Sequence, residues 1–250
     1  MEIITIANQK GGVGKTTTAS ALGAGLIKKG KKVLYIDLDP QINLTTSLGG
    51  DENKTSIYDV IKSDIDINEA IQIINEKHII VGDRAASGAD TEFNLPGREY
   101  KLKKALSKLN DEYDYIIIDT PPALGVLTIN ALTACDKVLI PAEPDVSSIQ
   151  GITQLKDTID AVKEYCNPNL KIDGIIITRY SKTILSKDLT EEIKDIAKDM
   201  NTKVYTQPIR ECIALKEAKT QVQDIFEYAK KSNAANDYLA IIEEILEECK

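Results

Sequence analysis

Short, continuous apolar runs alternate with longer amphipathic stretches along the chain. The runs IITIA (3–7), KVLYID (32–37), YIIID (115–119), KVLIPA (137–142), GIIIT (174–178) and KVYT (203–206) are four to six residues long and dominated by Ile, Val and Leu. Runs of this kind suit strands covered on both faces, as parallel strands are. Between them, apolar positions at helical spacing predict helices over 16–29, 100–109, 148–165, 185–199 and 233–247. Strand and helix in repeated alternation predict an α/β fold, a doubly wound, mostly parallel sheet flanked by helices. Region 49–97 is less regular, and VGDRAASGADTEFNLPG (81–97) reads as a long loop. No internal repeat or Pro/Ser linker divides the chain, which predicts one domain over 1–250.

Composition narrows the setting. A 250-residue chain with 42% hydrophobic content can bury one sizeable core. No apolar run reaches the length of a membrane span and no leader-like segment precedes the first strand, so a cytoplasmic location is expected. Cys135, Cys166, Cys212 and Cys249 are scattered without metal-ligand spacing and read as reduced thiols. His78, the one histidine, reads as part of a strand entry. The net charge of −8 argues against indiscriminate nucleic-acid binding by the whole surface. A focused basic patch remains compatible, because residues 178–231 hold eleven Lys and Arg against nine Asp and Glu.

The densest chemical signal is ANQKGGVGKTTTASALG (7–23). A strand ends, a glycine-rich segment follows, and Thr16 opens a helix. This order aims free backbone N–H groups and the positive helix terminus at one point, which suits a polyphosphate. Gly11, Gly12, Val13 and Gly14 form the loop, and Gly at three of these positions lets the backbone approach phosphate oxygens closely. Lys15 neutralises β- and γ-phosphate charge, Thr16 offers a hydroxyl to Mg²⁺, and Thr17 beside it joins the expected nucleotide contacts. The common pattern G-x-x-x-x-G-K-[ST] is not met in full: its first glycine position is Gln9, and Lys10 stands at the head of the loop.

Two carboxylate-bearing strand ends complete the pattern. VLYIDLDPQ puts Asp37 and Asp39 at the carboxyl end of the second strand, where α/β sheets place their chemistry. A side-chain period of two sends both to one side of an ideal strand, which makes Asp37 a supporting partner near the metal. YDYIIIDTPPALG ends a buried strand in Asp119, the expected position of an aspartate that holds Mg²⁺.

The loop KGGVGKTT, with its second lysine, resembles the deviant Walker A motif of the ParA/MinD superfamily of ATPases, and ANQKGGVGKTTTA is most similar to the ParA/Soj branch. The resemblance continues through DLDPQ (37–41) and LGVLTINALTACDKVLIPAEPD (124–145) and more loosely to the end of the chain. It implies a P-loop ATPase that uses ATP and Mg²⁺. It assigns Lys10 to the phosphates of a second copy in a nucleotide-sandwich homodimer and Asp39 to the attacking water. Thr178 and Arg179 in IITRY, and Pro208 and Ile209 in TQPIR, correspond to the neighbourhood of the base. The family also binds double-stranded DNA without sequence preference. The corresponding candidates are Arg179, Lys182, Lys187, Arg210, Lys216, Lys219, Lys230 and Lys231. A ParB-like centromere-binding partner and nucleoid association are implied in turn. The chain starts at the first strand, so the N-terminal helix-turn-helix extension of larger ParA proteins is not expected. The alternative is a MinD-like membrane-cycling regulator; Glu243, Glu244, Glu247 and Glu248 at the end of the chain oppose anionic lipid, and no stable membrane association is expected.

Overall fold

The computed structural model describes residues 1–110 and 112–248. Seven strands form one sheet in the order β3-β4-β2-β5-β1-β6-β7. They are β1 (Glu2–Ile6), β2 (Val33–Asp37), β3 (Ile71–Ile74), β4 (Lys77–Ile80), β5 (Tyr115–Asp119), β6 (Lys137–Ala142) and β7 (Lys171–Ile177). Every pairing is parallel except that of β3 with β4.

The helices are α1 (Lys15–Lys28), α2 (Asn43–Leu48), α3 (Ile57–Ser63), α4 (Ala89–Glu92), α5 (Lys101–Leu106), α6 (Val126–Ala134), α7 (Val146–Tyr165), α8 (Ile184–Asp199), α9 (Ala214–Thr220), α10 (Ile225–Tyr228) and α11 (Asn233–Glu248). The two-residue period of the strands sorts their side chains into two layers. On β5, Ile116 and Ile118 join the core shared with α3, α5, α6, α7 and α8, whereas Tyr115 and Ile117 join the core shared with α1, α10 and α11. Each fully buried Ile contributes about 1.5–3 kcal/mol relative to exposure. The apolar stripe of α11 (Tyr238, Ile241, Ile242, Ile245) is buried in this second core against α1. Among the described residues no helix is long and apolar enough to cross a membrane.

The structure departs from the sequence expectation in three places. Residues 81–97 are not a plain loop but hold two short 3-10 or helical turns, at Arg84–Gly88 and at α4. The hairpin of β3 and β4 is joined by Asn75 and Glu76, both in the left-handed region, without the glycine that marks such turns in sequence. KVYT adds only one isolated bridge, Ile175 to Val204, beside β7. His78 lies within β4 and shares a 2.9 Å hydrogen bond with the Tyr113 hydroxyl. Cys135, Cys166 and Cys212 are free thiols; Cys249 lies outside the described residues.

A candidate nucleotide site at the carboxyl ends of the strands

The loop after β1 is shaped by backbone conformation first. Gly12 and Gly14 have φ of 83° and 90°, a region that side chains disfavour. Gly14 caps α1 without a side-chain hydrogen bond, which leaves the first N–H groups of the helix available to a ligand. Asn8, fully buried, braces the loop: its Nδ2 donates to the Pro141 carbonyl at 2.7 Å and its Oδ1 accepts from the Lys10 N–H at 3.0 Å. A Cβ at Gly151 would come within 2.8 Å of Asn8 Oδ1, so α7 packs on the loop as closely as glycine permits.

The two lysines of the loop face different partners. Lys15 is buried, and its Nζ donates to the carbonyls of Asn8 (2.9 Å) and Lys10 (3.1 Å). Burial lowers its pKa, and the negative charges of Asp119 and Asp39 offset part of that shift. Lys10 points elsewhere, with its Nζ between Glu143 (3.2 Å) and Asp145. Partial burial disfavours its charge, but bonds to Asp145 and Glu143 prevail and raise its pKa. Asp145 also caps α7, accepting from the Ser148 N–H at 2.9 Å.

The carboxylates stand at the ends of neighbouring strands. In the register of the sheet Asp37 pairs with Asp119, and Asp119 with Ile6. The Thr16 hydroxyl donates to Asp119 Oδ2 at 2.6 Å, while Asp119 Oδ1 is buried with no hydrogen-bond partner among the described residues. Burial pushes the Asp119 carboxyl well above the usual range, and the neighbouring Asp37 adds to the shift. A hydroxyl beside an oxygen-only carboxylate with a spare lone-pair site is the donor set a magnesium ion takes, so Thr16 and Asp119 fit that ion.

Asp37 is engaged otherwise: its Oδ2 accepts from the N–H and hydroxyl of Thr45 (both 2.8 Å), and its Oδ1 from the Asp39 N–H at 3.1 Å. It therefore fixes the turn that presents Asp39 and is not directed into the cavity. Asp39 does line the cavity and accepts from the Gln41 N–H at 3.0 Å. Burial raises its pKa, against the lowering effects of that N–H and of Lys15.

Asp39, Lys15 and Thr16 border a cavity of about 610 Å³, a size suited to a small organic ligand. Gly11, Gly12, Val13, Gly14, Lys15, Thr16 and Thr17 form one end. Thr178 and Arg179 line it too, and the Thr178 hydroxyl donates to the Val13 carbonyl at 2.8 Å, bracing the loop. Ile209 is on the far wall; Pro208 is not, and the wall instead continues through Arg210, Glu211, Cys212 and Ile213 to Tyr238.

The eight basic candidates divide. Lys182, Lys187, Lys230 and Lys231 are exposed. The other four are drawn to the site's rim. Arg179 pairs with Glu143 at 2.7 Å, Arg210 with Asp237 at 2.6 Å, Lys219 donates to Asn43 at 2.7 Å, and Lys216 lines the cavity. Asn8, Glu143, Asp145 and Asp237 were not foreseen from sequence. The contacts of Asn8 to Pro141, of Glu143 and Asp145 to Lys10, and of Asp237 to Gln207 and Arg210 span more than twenty positions. The local signals are the place of Asn8 beside the glycine loop and of Asp145 three residues before Ser148 at a helix start.

Comparisons with known proteins identify the family. The profile of a family described as an AAA domain matches residues 1–172. Sporulation initiation inhibitor protein Soj of Bacillus subtilis (strain 168) is 39% identical over 250 residues, covering 98% of both chains. The structure described as cobyrinic acid a,c-diamide synthase from Mycobacterium smegmatis, with bound ATP analog and magnesium, has a TM-score of 0.84 and 35% identity, covering 98% of this chain and 94% of that one. A McdA variant from Cyanothece in complex with ATP has a TM-score of 0.87 and 28% identity, covering 98% and 96%. The family model and the full-length identity to Soj place the chain among the ParA/Soj-type partition ATPases of the ParA/MinD superfamily, and it is an ATPase that uses ATP and magnesium.

Proposed function

We propose that the chain forms one ATPase unit over residues 1–250 that acts in the partition of a chromosome, plasmid or integrated mobile element. In this reading two copies close face to face over ATP, the dimer binds DNA without sequence preference, and a ParB-like partner stimulates the hydrolysis that resets it. The working form is cytoplasmic and nucleoid-associated. The observation that carries the reading is the division of labour in one loop. Lys15 is folded into its own site, whereas Lys10 rests on the partly buried carboxylates of Glu143 and Asp145 and does not line its own cavity, from where it can be delivered to a second copy.

The residue roles follow from position. The N–H groups at the start of α1 and the Lys15 ammonium bind the β- and γ-phosphates. Thr16 and Asp119 hold magnesium, which when bound neutralises phosphate charge. Asp39 orients the attacking water by accepting its proton in a hydrogen bond, and Asp37 keeps Asp39 in place. Lys10 brings a cation to the charge that develops on the transferring phosphoryl group, and it does so only in the assembled pair. Thr178, Arg179 and Ile209 stand on the base side, and Pro208 precedes Ile209 in the chain. Lys182, Lys187, Lys230 and Lys231 carry the phosphate contacts to DNA, doubled by dimerisation.

Sedimentation velocity with ATP and magnesium tests the scheme. Asp39→Ala is expected to sediment as a dimer and to stay on random-sequence DNA, and Lys10→Ala as a monomer. A monomeric Asp39→Ala at saturating ATP overturns it.

A further inference from the structure

One buried carboxylate near the cavity has no part in phosphate, metal or water chemistry. Asp237, on the second turn of α11, is 2% exposed. Its Oδ1 accepts from Gln207 Nε2 at 2.9 Å and Arg210 Nη2 at 2.6 Å. Its Oδ2 accepts from the Arg210 backbone N–H at 3.1 Å and from Arg210 Nε at 3.0 Å. Four donors saturate a carboxylate, and all four come from one short stretch of chain. The paired Nε and Nη2 contacts are the planar, two-point geometry that sets a guanidinium's orientation as well as its distance.

That stretch is the far wall of the cavity, formed by Ile209 to Ile213. It belongs to no helix or strand; its tie to the sheet is the pairing of Ile209 and Glu211 with Ile177 and Tyr180. Asp237 fastens it from the opposite side. The next residue, Tyr238, lines the same cavity, and its hydroxyl bonds the Thr18 hydroxyl of α1 at 3.1 Å. Two adjacent residues of α11 therefore reach the wall and the phosphate-loop helix, and they fix the separation of the cavity's two ends.

We propose that Asp237 is a positioning residue that holds the 209–213 wall in the shape accepting the nucleotide's base, and that it sets nucleotide affinity without touching the phosphates. The inference rests on the reading above that the base lies against this wall.

The test is calorimetric titration of the full chain with magnesium–ATP and with magnesium–tripolyphosphate, which carries the phosphates and no base. Asp237→Asn keeps the side chain's volume but turns an NH₂ group toward the Arg210 donors. It is expected to weaken ATP binding by about tenfold or more, as loss of an orienting partner does elsewhere, while leaving tripolyphosphate affinity as in the wild type. Its KM for ATP rises with kcat at saturation unchanged. Arg210→Gln, altering the other side of the contact, is expected to reproduce the loss of ATP affinity. Equal losses for both ligands, or unchanged ATP affinity in both variants, overturn the proposal. Lys15→Ala separates this outcome from a failure of the site itself. If it binds ATP normally the nucleotide reading fails, and if it alone loses ATP only the role of Asp237 fails.

Discussion

Asp37 and Asp119 close two adjacent parallel strands at the same level, and neither reaches solvent. Burial lifts the Asp37 carboxyl to about 6 from its ordinary 3.8, against the lowering effect of its bonds from Thr45 and Asp39. The unfolded chain releases this proton near the ordinary value, so between the two pH values the folded chain holds a proton that the unfolded chain does not. The contribution to stability is fully present below 3.8 and is lost as pH rises through about 6, an effect on the order of 3 kcal/mol. Asp37→Asn lacks this titration. Guanidinium denaturation of the nucleotide-free protein should therefore show the variant gaining on the wild type between pH 4 and pH 7. A gap that is flat with pH refutes the assignment. At the neighbouring positions, Lys15→Ala is expected to lower turnover by on the order of 10²–10³-fold through lost phosphate binding. Asp39→Ala is expected to keep ATP and lower single-turnover hydrolysis by on the order of 10²-fold. Filter binding and quenched-flow measurements read these two effects separately.

The element that ties site to core is α1. Its Gly23 lies against the ring of Tyr35 on β2, and a Cβ there would fall 2.3 Å from a ring carbon that is itself fully buried. Gly23→Ala should destabilise the fold by about 1–3 kcal/mol through overpacking, measured as a shift in denaturation midpoint at constant slope. Contacts of this kind mark what a sequence makes legible and what it does not. The parallel strands β1, β2, β5 and β6 announce themselves because burial on both faces makes them continuous Ile and Val runs. The phosphate loop is legible because its glycines answer to backbone geometry that no other residue meets cheaply. Strand β3 and its turn into β4 are silent, although His78 marks the entry of β4, because Asn75 and Glu76 turn the hairpin without glycine and the exposed Ile73 blurs the apolar alternation. Asp237 is silent for another reason: nothing near it in the chain says that Gln207 and Arg210 will meet it. Lys10 was legible only as one half of a motif, and its resting partners Glu143 and Asp145 were not.

At the scale of the whole molecule, ligand binding to the folded chain alone raises stability by mass action. At a hundredfold excess over Kd this is about 2.7 kcal/mol, which for a chain of this size corresponds to a rise in Tm of about 5–10 °C. Differential scanning fluorimetry with magnesium–ATP should show that rise in the wild type and none in Lys15→Ala. The contact of Lys10 with Glu143 and Asp145 has a further consequence at this scale. A cation that leaves this seat uncovers two negative charges at the rim, with Arg179 remaining beside Glu143. In the pair proposed above both copies would make the same exchange at once. Each would give up one positive charge and bare one anionic pair, so the surface meeting the partner would differ from the surface that the lone subunit shows to water.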